Sequence, residues 1–290
     1  MVVDIPCERE VMPELPEVET IRQTLNLKIV GCTVLKVRVN LPKMLRGQSL
    51  SYFKKKLGKQ IILKVSRRAK YLLLDFGKDI LLLHLGMTGQ IILLDTKKKN
   101  SKIDLTLPDK HTHLVLNLSK NLILYFRDYR QFGCFYILSG SSIARELSRF
   151  GPEPLSSEFS WEYFYQQVKR RSTNIKSLLL NQQIVAGLGN IYTDEALFRA
   201  EINPATKAST LTLPAVRKLW QAIKLVIKLG IKYRGTSISD YVDPDNKPGE
   251  FQKKLKIYGR AGLKCISCKS LIKKGVVAQR GTHWCPECQK

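Results

Sequence analysis

The chain has 290 residues, of which 44% are hydrophobic and 25% charged, so it is long enough for two domains and its composition is globular rather than disordered. Its 49 Lys and Arg against 24 Asp and Glu leave a net charge of +25, which favours a polyanionic partner such as nucleic acid over the alternative of a merely basic or ribosome-associated protein. No run reaches the roughly 18 consecutive apolar residues of a membrane span, and the acidic first residues do not resemble a secretory signal, so we expect a cytoplasmic protein.

One helix and eight strands are predicted in the first half of the chain. Val18, Ile21 and Leu25 recur at helical spacing, which predicts a helix over residues 16–28 with carboxylates in its first turn. Apolar runs bounded by turn residues predict strands at 33–39, 60–65, 71–76, 80–85, 90–94, 113–118, 122–126 and 134–138. This succession of short strands indicates a β-sandwich.

The pattern changes after the loop Gly151-Pro152-Glu153-Pro154. Apolar residues then recur at helical spacing over 161–169, 175–180, 192–200 and 214–229, so this half is predicted to be mainly helical. Residues 234–249 are rich in Gly, Ser, Asp and Pro and have no apolar period, which indicates a long functional loop. The lysines at 97–99 are interpreted as a solvated hairpin tip.

Four of the seven cysteines have the spacing of a metal site. Two CxxC pairs separated by sixteen residues match the four-thiolate zinc pattern, in which the ligands close a tetrahedron on a small β-hairpin. These ligands are Cys265, Cys268, Cys285 and Cys288. Four thiolates leave no open coordination position, so we expect one structural Zn2+, with the neighbouring His283 at the surface. Cys32 and Cys134 lie in apolar runs and are expected in the core.

Several separate motifs resemble one family. They are MPELPEVE at 12–19, RAKYL at 68–72, HLGMTG at 84–89, GLGNIY at 187–192 and QRGT at 279–282. Together with the zinc motif, these segments resemble the bacterial formamidopyrimidine-DNA glycosylases over residues 12–290. The resemblance implies an α+β fold: an N-terminal catalytic β-sandwich with a leading helix at 13–148, a helix-two-turn-helix DNA-binding domain at 149–262 with the lesion-recognition loop 234–249, and a β-hairpin zinc finger at 263–290.

The resemblance also implies an activity. It is base-excision repair of double-stranded DNA containing oxidised purines, namely 8-oxoguanine and formamidopyrimidines, by a monomeric glycosylase that is also a β,δ-elimination lyase. Pro13 would be the nucleophile and Glu14 the acid that protonates the sugar ring oxygen, while Lys70 and Arg280 would act in β- and δ-elimination. A neutral N-terminal proline is a secondary amine that can attack C1′ and form an iminium. Without the resemblance to this family, Pro13 and Glu14 would be interpreted as the ordinary start of a helix.

DNA-binding positions follow from the same resemblance. Because damage must be reached inside a duplex, the nucleotide is expected to be flipped and the gap filled by side chains. Met87, Arg130 and Phe132 match the gap-filling residues, and His111, Arg171 and Asn190 match DNA-contact positions. Asn190 and nearby backbone N–H groups would bind phosphate, where a helix cap is the alternative. The chain departs from the family pattern at Tyr129 and Gln131, where a proline and a second arginine are usual.

Two other functions stay open at this point. An endonuclease VIII-like relative would share the nucleophile and the finger but favour oxidised pyrimidines, although Leu15 and the loop from Gly235 to Tyr241 favour the purine branch. A damage-binding protein without chemistry is the second alternative, since a retained extension at residues 1–12 would make the Pro13 nitrogen a peptide amide. We therefore expect that extension to be absent from the active protein, which would begin at Pro13 and associate with the nucleoid.

Overall fold

The protein is described here by a computed structural model that covers residues 12–97, 106–238 and 241–290. The predicted extension therefore lies outside the described residues except for Met12. The same holds for two of the three lysines at 97–99 and for two residues of the loop 234–249.

Two antiparallel four-stranded sheets form the N-terminal half, which confirms the predicted β-sandwich. The strands are β1 (Val34–Val39), β2 (Lys64–Arg68), β3 (Tyr71–Asp75), β4 (Asp79–His84), β5 (Gly89–Asp95), β6 (Thr112–Leu118), β7 (Leu122–Asp128) and β8 (Cys134–Ser139). One sheet has the order β1-β6-β7-β5 and the other β2-β3-β4-β8. Alternate residues such as Leu72, Leu74 and Phe126 are fully buried between them.

The prediction of a strand at 60–65 is wrong over its first four residues. Ile61 forms only an isolated bridge with Thr33, and β2 begins at Lys64. Of the three apolar residues 61–63, Ile62 is buried in the core, whereas the side chains of Ile61 and Leu63 are exposed. Hydrophobic residues indicate a strand only where a partner strand and a core are available to them.

Helix α1 (Leu15–Ile29) connects the two halves of the molecule. Val18, Ile21 and Leu25 belong to the core of the sandwich, whereas Leu15 packs in the core of the helical half. Two short helices, α2 (Leu50–Leu57) and α3 (Ser141–Leu147), were not predicted from the sequence. Their apolar positions are too few for a helical period to stand out from the flanking lysines and serines.

The C-terminal half contains the four predicted helices. They are α4 (Trp161–Lys169), α5 (Ile175–Leu180), α6 (Asn190–Ala200) and α7 (Leu213–Lys232). Almost every residue of α6 is buried, because α5, α7 and the C-terminal hairpin all pack around it. Helix α6 begins two residues before the prediction, directly after Gly189.

The hairpin of β9 (Lys273–Val277) and β10 (Arg280–Trp284) forms the end of the chain. Its small core joins Ile272 to Ile257 and to Phe198 at the end of α6. Within the described residues, no helix is long and apolar enough to cross a membrane.

Candidate active site

A pocket at the start of α1 contains Pro13. It is lined by Met12, Pro13, Glu17, Met87, Thr88, Gly89, Ile191, Thr236 and Tyr241. These residues come from the chain start, the β4–β5 turn, the beginning of α6 and the loop 234–249. The structure therefore brings Met87 next to Pro13, although the two residues are far apart in the sequence.

The carboxylate of Glu14 is held by the N-terminus of α6. It accepts hydrogen bonds from the backbone N–H of Gly189 at 2.7 Å and of Ile191 at 2.8 Å. Gly189 is needed here, since a Cβ at this position would lie 2.4 Å from the Glu14 carboxyl carbon. At the positive end of the helix, the N–H groups of Gly189 and Ile191 therefore bind a carboxylate of the protein itself, and the phosphate contact expected of Asn190 stays a prediction.

Glu14 is almost completely buried, and this determines its acidity. Burial raises the pKa of Glu14 to about 8, while the positive charge of Lys70 and the two N–H donors oppose that rise. The carboxyl group can therefore hold a proton at neutral pH and can give it to a neighbouring group. A general acid needs this property.

Glu17 is a second buried carboxylate, and the sequence did not identify it as part of the site. Its oxygens accept from the backbone N–H of Glu14 at 2.9 Å, from the Tyr192 hydroxyl at 2.7 Å and from the Thr236 N–H at 2.6 Å. Burial raises its pKa, and the Tyr192 hydroxyl opposes the rise. The three-residue spacing of Glu14 and Glu17 indicates a capping box, but Tyr192 and Thr236 are distant in sequence.

Lys70 lies in the tight turn between β2 and β3, after Ala69 with a φ of +51°. Only 4% of its surface is exposed. Its charge lowers the pKa of both Glu14 and His84, so all three side chains lie close together. Burial is the main reason that the pKa of His84 falls to about 3, and this histidine is therefore neutral. His84 also packs against the ring of Tyr71, at 4.5 Å between ring centres.

A buried ion pair attaches the hairpin that carries Arg280. Lys176 Nζ lies 2.6 Å from Asp194 Oδ1 and donates to Thr282 Oγ1 at 2.8 Å. The other oxygen of Asp194 accepts from the backbone N–H of His283 at 2.9 Å. His283 is buried against this contact, so its expected surface position is wrong. Arg280 lies two residues before Thr282 and its charge acts on Lys176, which places it at the same junction.

Asn190 and Tyr258 complete this junction. Asn190 Nδ2 donates to the Gly281 carbonyl at 2.8 Å, so its side chain bridges α6 and the hairpin. Burial raises the pKa of Tyr258 to about 12, and the side chain of Asn190 opposes the rise. Tyr258 is held in turn by Glu195, which accepts from its backbone N–H at 3.2 Å. No local sequence motif distinguishes Tyr258, so its place in this junction is evident only from its neighbours in the structure.

Two of the three residues predicted to fill the gap in DNA, Arg130 and Phe132, lie in one exposed loop, whereas Met87 is buried in the β4–β5 turn. Asp128 is fully buried and accepts from Thr88 Oγ1 at 2.5 Å, from the Arg130 N–H at 3.2 Å and from the Gly133 N–H at 2.7 Å. It therefore ties this loop to the turn that carries Met87. The guanidinium of Arg130 lies 5.0 Å from the ring centre of Phe132, whose exposed fraction is 43%.

Side-chain contacts support the loop where the usual proline is missing. The ring of Tyr129 packs against His111 at 4.4 Å between centres, and Arg127 Nη2 donates to its hydroxyl at 2.8 Å. Arg127 is itself paired with Asp109 at 2.5 Å. The ring contact gives His111 a structural partner beside Arg130.

Arg171 is not brought to Pro13 by any contact of the described residues. Its guanidinium bonds to the side chain and the carbonyl oxygen of Gln167, one turn earlier in α4, at 2.6 and 3.0 Å. Its predicted contact with DNA would have to lie outside the pocket.

The four predicted zinc ligands meet at one point. Their sulfur atoms all lie within 4.8 Å of one another, and Cys268 and Cys285 are 3.4 Å apart. Zinc–sulfur bonds of about 2.3 Å in a tetrahedron separate the sulfurs by about 3.8 Å, so the cluster fits zinc. The closed four-thiolate set has no position for substrate, which confirms a structural metal rather than a catalytic one. Cys32 and Cys134 are buried in the core as predicted.

Comparisons with known proteins agree on one family. Models described as the formamidopyrimidine-DNA glycosylase N-terminal domain, its H2TH domain and the zinc finger found in FPG and IleRS match residues 12–135, 150–242 and 262–290. A formamidopyrimidine-DNA glycosylase of Carboxydothermus hydrogenoformans is 44% identical over 96% of this chain and 100% of the relative.

Solved structures of two bacteria are also similar. A Lactococcus lactis FPG mutant in complex with a Fapy-dG containing DNA has a TM-score of 0.87 and 34% identity, over 96% of this chain and 100% of that one. The MutM (FPG) protein from Thermus thermophilus has a TM-score of 0.84 and 39% identity, over 96% and 98%.

Proposed function

Because the chain belongs to the formamidopyrimidine-DNA glycosylase family, we propose that it removes oxidised purines from double-stranded DNA and then cleaves the strand as a lyase. The observation that carries this proposal is that Pro13 lines a pocket and is followed directly in the chain by Glu14, whose buried carboxyl group has a raised pKa. The chain would act where the DNA is, in the nucleoid. We assign residues 13–148, 149–262 and 263–290 as its domains.

The reaction begins at the nitrogen of Pro13. The amine attacks C1′ of the damaged nucleotide, the bond from C1′ to the base breaks, and the base leaves with the bonding electrons and a proton. Glu14 then gives its proton to the sugar ring oxygen, so the ring opens and an iminium joins Pro13 to C1′. The iminium accepts electrons during β-elimination and δ-elimination, which remove the 3′ and 5′ phosphates from the sugar.

The remaining site residues are proposed to hold the DNA. Lys70 lies within the electrostatic reach of Glu14, which supports a role beside the reacting sugar. Arg280 and Asn190 meet at the junction of α6 and the hairpin, where they would contact flanking phosphates. Met87, Arg130 and Phe132 would fill the gap left by the flipped nucleotide, and His111 and Arg171 would contact the surrounding duplex.

The test is trapping by borohydride, which reduces the iminium to a stable bond between protein and DNA. We expect a covalent product with a duplex containing 8-oxoguanine opposite cytosine, and a weaker product with an oxidised pyrimidine. Pro13→Gly and Glu14→Gln should both lose lesion cleavage by 100-fold or more, on the scale of about 10²–10⁴ for a lost acid or base. Undiminished cleavage by both variants would contradict the mechanism.

The protein that traps on DNA also shows where the active chain begins. Met12 lines the pocket beside Pro13, and only its removal converts the Pro13 nitrogen from an amide into an amine. The intact mass of active protein from its native host should therefore correspond to a chain starting at Pro13. If protein that retains Met1 traps on DNA, both the start and the proline mechanism are wrong. Binding to damaged duplex without any trapping would favour the damage-binding alternative.

A further inference from the structure

A second cavity lies between the two halves of the protein, apart from the pocket at Pro13. Tyr71, Tyr136 and Phe150 form its aromatic wall on the outer face of the sheet β2-β3-β4-β8. Gln183, from the loop between α5 and α6, faces this wall from the helical half. Arg46 also lines the cavity, so a guanidinium group and three aromatic rings lie together at the boundary between the two halves of the protein.

The charges of the cavity do not balance. Glu146 accepts from the Tyr136 hydroxyl at 3.1 Å and from Arg149 Nη1 at 3.2 Å, so its carboxylate is neutralised within the lining. Arg46 is half-buried, and no hydrogen bond or ion pair joins its guanidinium to another described residue. A partly desolvated guanidinium without an acceptor favours an anionic ligand.

The backbone at Arg46 is held in an unfavourable conformation. Its φ of +31° lies in the left-handed region, where glycine is the usual residue, and it precedes Gly47 with a φ of +73°. Strain of this kind persists where a side chain is needed in a particular direction, and it is concentrated at functional sites. Arg46 lines the cavity from this turn.

The cavity continues the region around Glu14 and Lys70. Burial lowers the pKa of His84, and the charges of Lys70 and Arg46 lower it further, so both cations lie near this histidine. On the helical half, Gln182 accepts from the Gly187 N–H at 2.8 Å and donates to the Leu188 carbonyl at 2.8 Å. The same loop therefore connects the cavity to the Gly189 amide that holds Glu14.

We propose that this cavity binds one further backbone phosphate of the damaged DNA strand, with Arg46 as its cation. The inference rests on the proposed function, because the damaged DNA strand must pass along the boundary between the two halves, between Lys70 and the loop before α6. A phosphate supplies the anionic acceptor that Arg46 lacks, and its oxygens match a guanidinium fork. The aromatic wall would contact the adjoining sugar.

Binding is measured with a duplex that carries an uncleavable abasic analogue, so the result does not depend on the chemistry at Pro13. We expect Arg46→Gln to weaken binding about tenfold and to reduce the slope of log affinity against log salt by about 0.9, the value for one phosphate contact. Arg38→Gln, at an exposed position of β1, is the matched control and should change neither. An unchanged slope in the Arg46 variant would overturn the proposal.

Uncharged methylphosphonate linkages, placed one at a time in the damaged strand, identify the phosphate. At one position the substitution should weaken wild-type binding about tenfold and leave the Arg46→Gln variant unaffected. If every position affects both proteins equally, Arg46 contacts no phosphate and the proposal fails. A free deoxynucleoside monophosphate that raises the melting temperature of wild type but not of Arg46→Gln would assign the cavity to a nucleotide ligand instead.

A third variant separates binding from folding. Arg46→Gly removes the cation but suits the left-handed backbone, so its melting temperature should equal or exceed that of wild type. Its DNA affinity should nevertheless fall as in Arg46→Gln. Wild-type affinity in this stable variant would contradict the proposal. If the proposed function is wrong, borohydride trapping should be absent, whereas DNA binding should still depend on Arg46.

Discussion

Three glutamates in the first turns of α1 show how position determines the chemistry of one residue type. Glu14 and Glu17 are fully buried, and burial raises the pKa of both. Glu19 is only partly buried, and the hydrogen bonds and charges of Arg22 and Arg67 outweigh that burial, so its pKa is lowered. All three match a helix start rich in carboxylates. Glu14 follows Pro13 directly and has a pKa of about 8, whereas Glu17 lines the pocket but already accepts from the Tyr192 hydroxyl and from two backbone N–H groups.

The first prediction concerns pH at Glu14. Its folded pKa of about 8 exceeds the ordinary value of 4.5, so the folded protein retains a proton that the unfolded chain has lost between these values. Stability from this group is therefore fully present below pH 4.5 and is lost as pH rises through 8. Single-turnover formation of the iminium, measured by borohydride trapping, should likewise fall above pH 8, by about tenfold per pH unit for one essential acid.

Glu14→Gln provides the comparison. Its remaining activity should show no such fall above pH 8, and its free energy of unfolding relative to wild type should increase between pH 6 and pH 9. Denaturant unfolding at the two pH values measures this difference. A wild-type rate that stays constant to pH 10 would show that Glu14 is already ionised and is not the acid.

At the scale of elements, α6 is the common support of the site. Its N-terminal amides hold Glu14 and its Tyr192 hydroxyl holds Glu17. Asp194 holds the hairpin at His283, and Glu195 holds the segment before the finger at Tyr258. A single buried helix therefore sets the distance between the reacting group and the residues of the hairpin. This explains why nearly all of α6 is buried, including its acidic residues.

The second prediction concerns the ion pair of Lys176 and Asp194, in which neither side chain is exposed. Asp194→Ala leaves a buried cation, which should cost about 3–5 kcal/mol of unfolding free energy. Replacing both residues together, by Lys176→Met with Asp194→Leu, should recover most of that loss, since the buried charge is removed too. Denaturant unfolding measures each variant.

A pair at the surface gives the matched control. Lys218 and Glu201 are 2.6 Å apart, but their side chains are 45% and 62% exposed. Glu201→Ala should therefore change the free energy of unfolding by no more than about 1 kcal/mol. Equal losses from the two alanine variants would show that Lys176 and Asp194 do not hold the hairpin.

At the scale of the whole molecule, the finger depends on its metal because its own core is small. Cys265 and Cys285 belong to a cluster with only three other buried residues, Phe198, Ile257 and Ile272. So few apolar side chains cannot hold a segment of this length, and the zinc bonds supply the folding energy. The sandwich and the helices have separate, larger cores.

The third prediction follows for Cys285→Ser. We expect the variant to contain no zinc and to bind damaged duplex at least tenfold more weakly, because Arg280 loses the support of the finger. The far-ultraviolet circular dichroism should change little, since most helices and strands lie elsewhere. Metal analysis, a binding titration and the spectrum test this together. Cys134→Ala, a buried cysteine outside the finger, should retain zinc, and wild-type DNA affinity in Cys285→Ser would contradict the prediction.

The sequence by itself predicted what short-range patterns encode. Helical and alternating periods located α4, α5 and most strands, and two CxxC pairs identified the zinc ligands. The order of the motifs identified the family, and with it Pro13 and Glu14. These features depend on residues that are close together in the chain, or on short motifs with a fixed order of residues. The helices α2 and α3 were missed, since their apolar periods are too short to distinguish.

The tertiary structure alone decided which groups meet and how acidic they are. The bonds from Gly189 and Ile191 to Glu14 join residues 175 and 177 positions apart, and no local pattern records such a contact. His283 is buried and Arg46 half-buried for the same reason, because burial depends on what packs against a side chain. A pKa follows burial and neighbouring charge, so the pKa of Glu14 is set only once α1, α6 and the β2–β3 turn have come together.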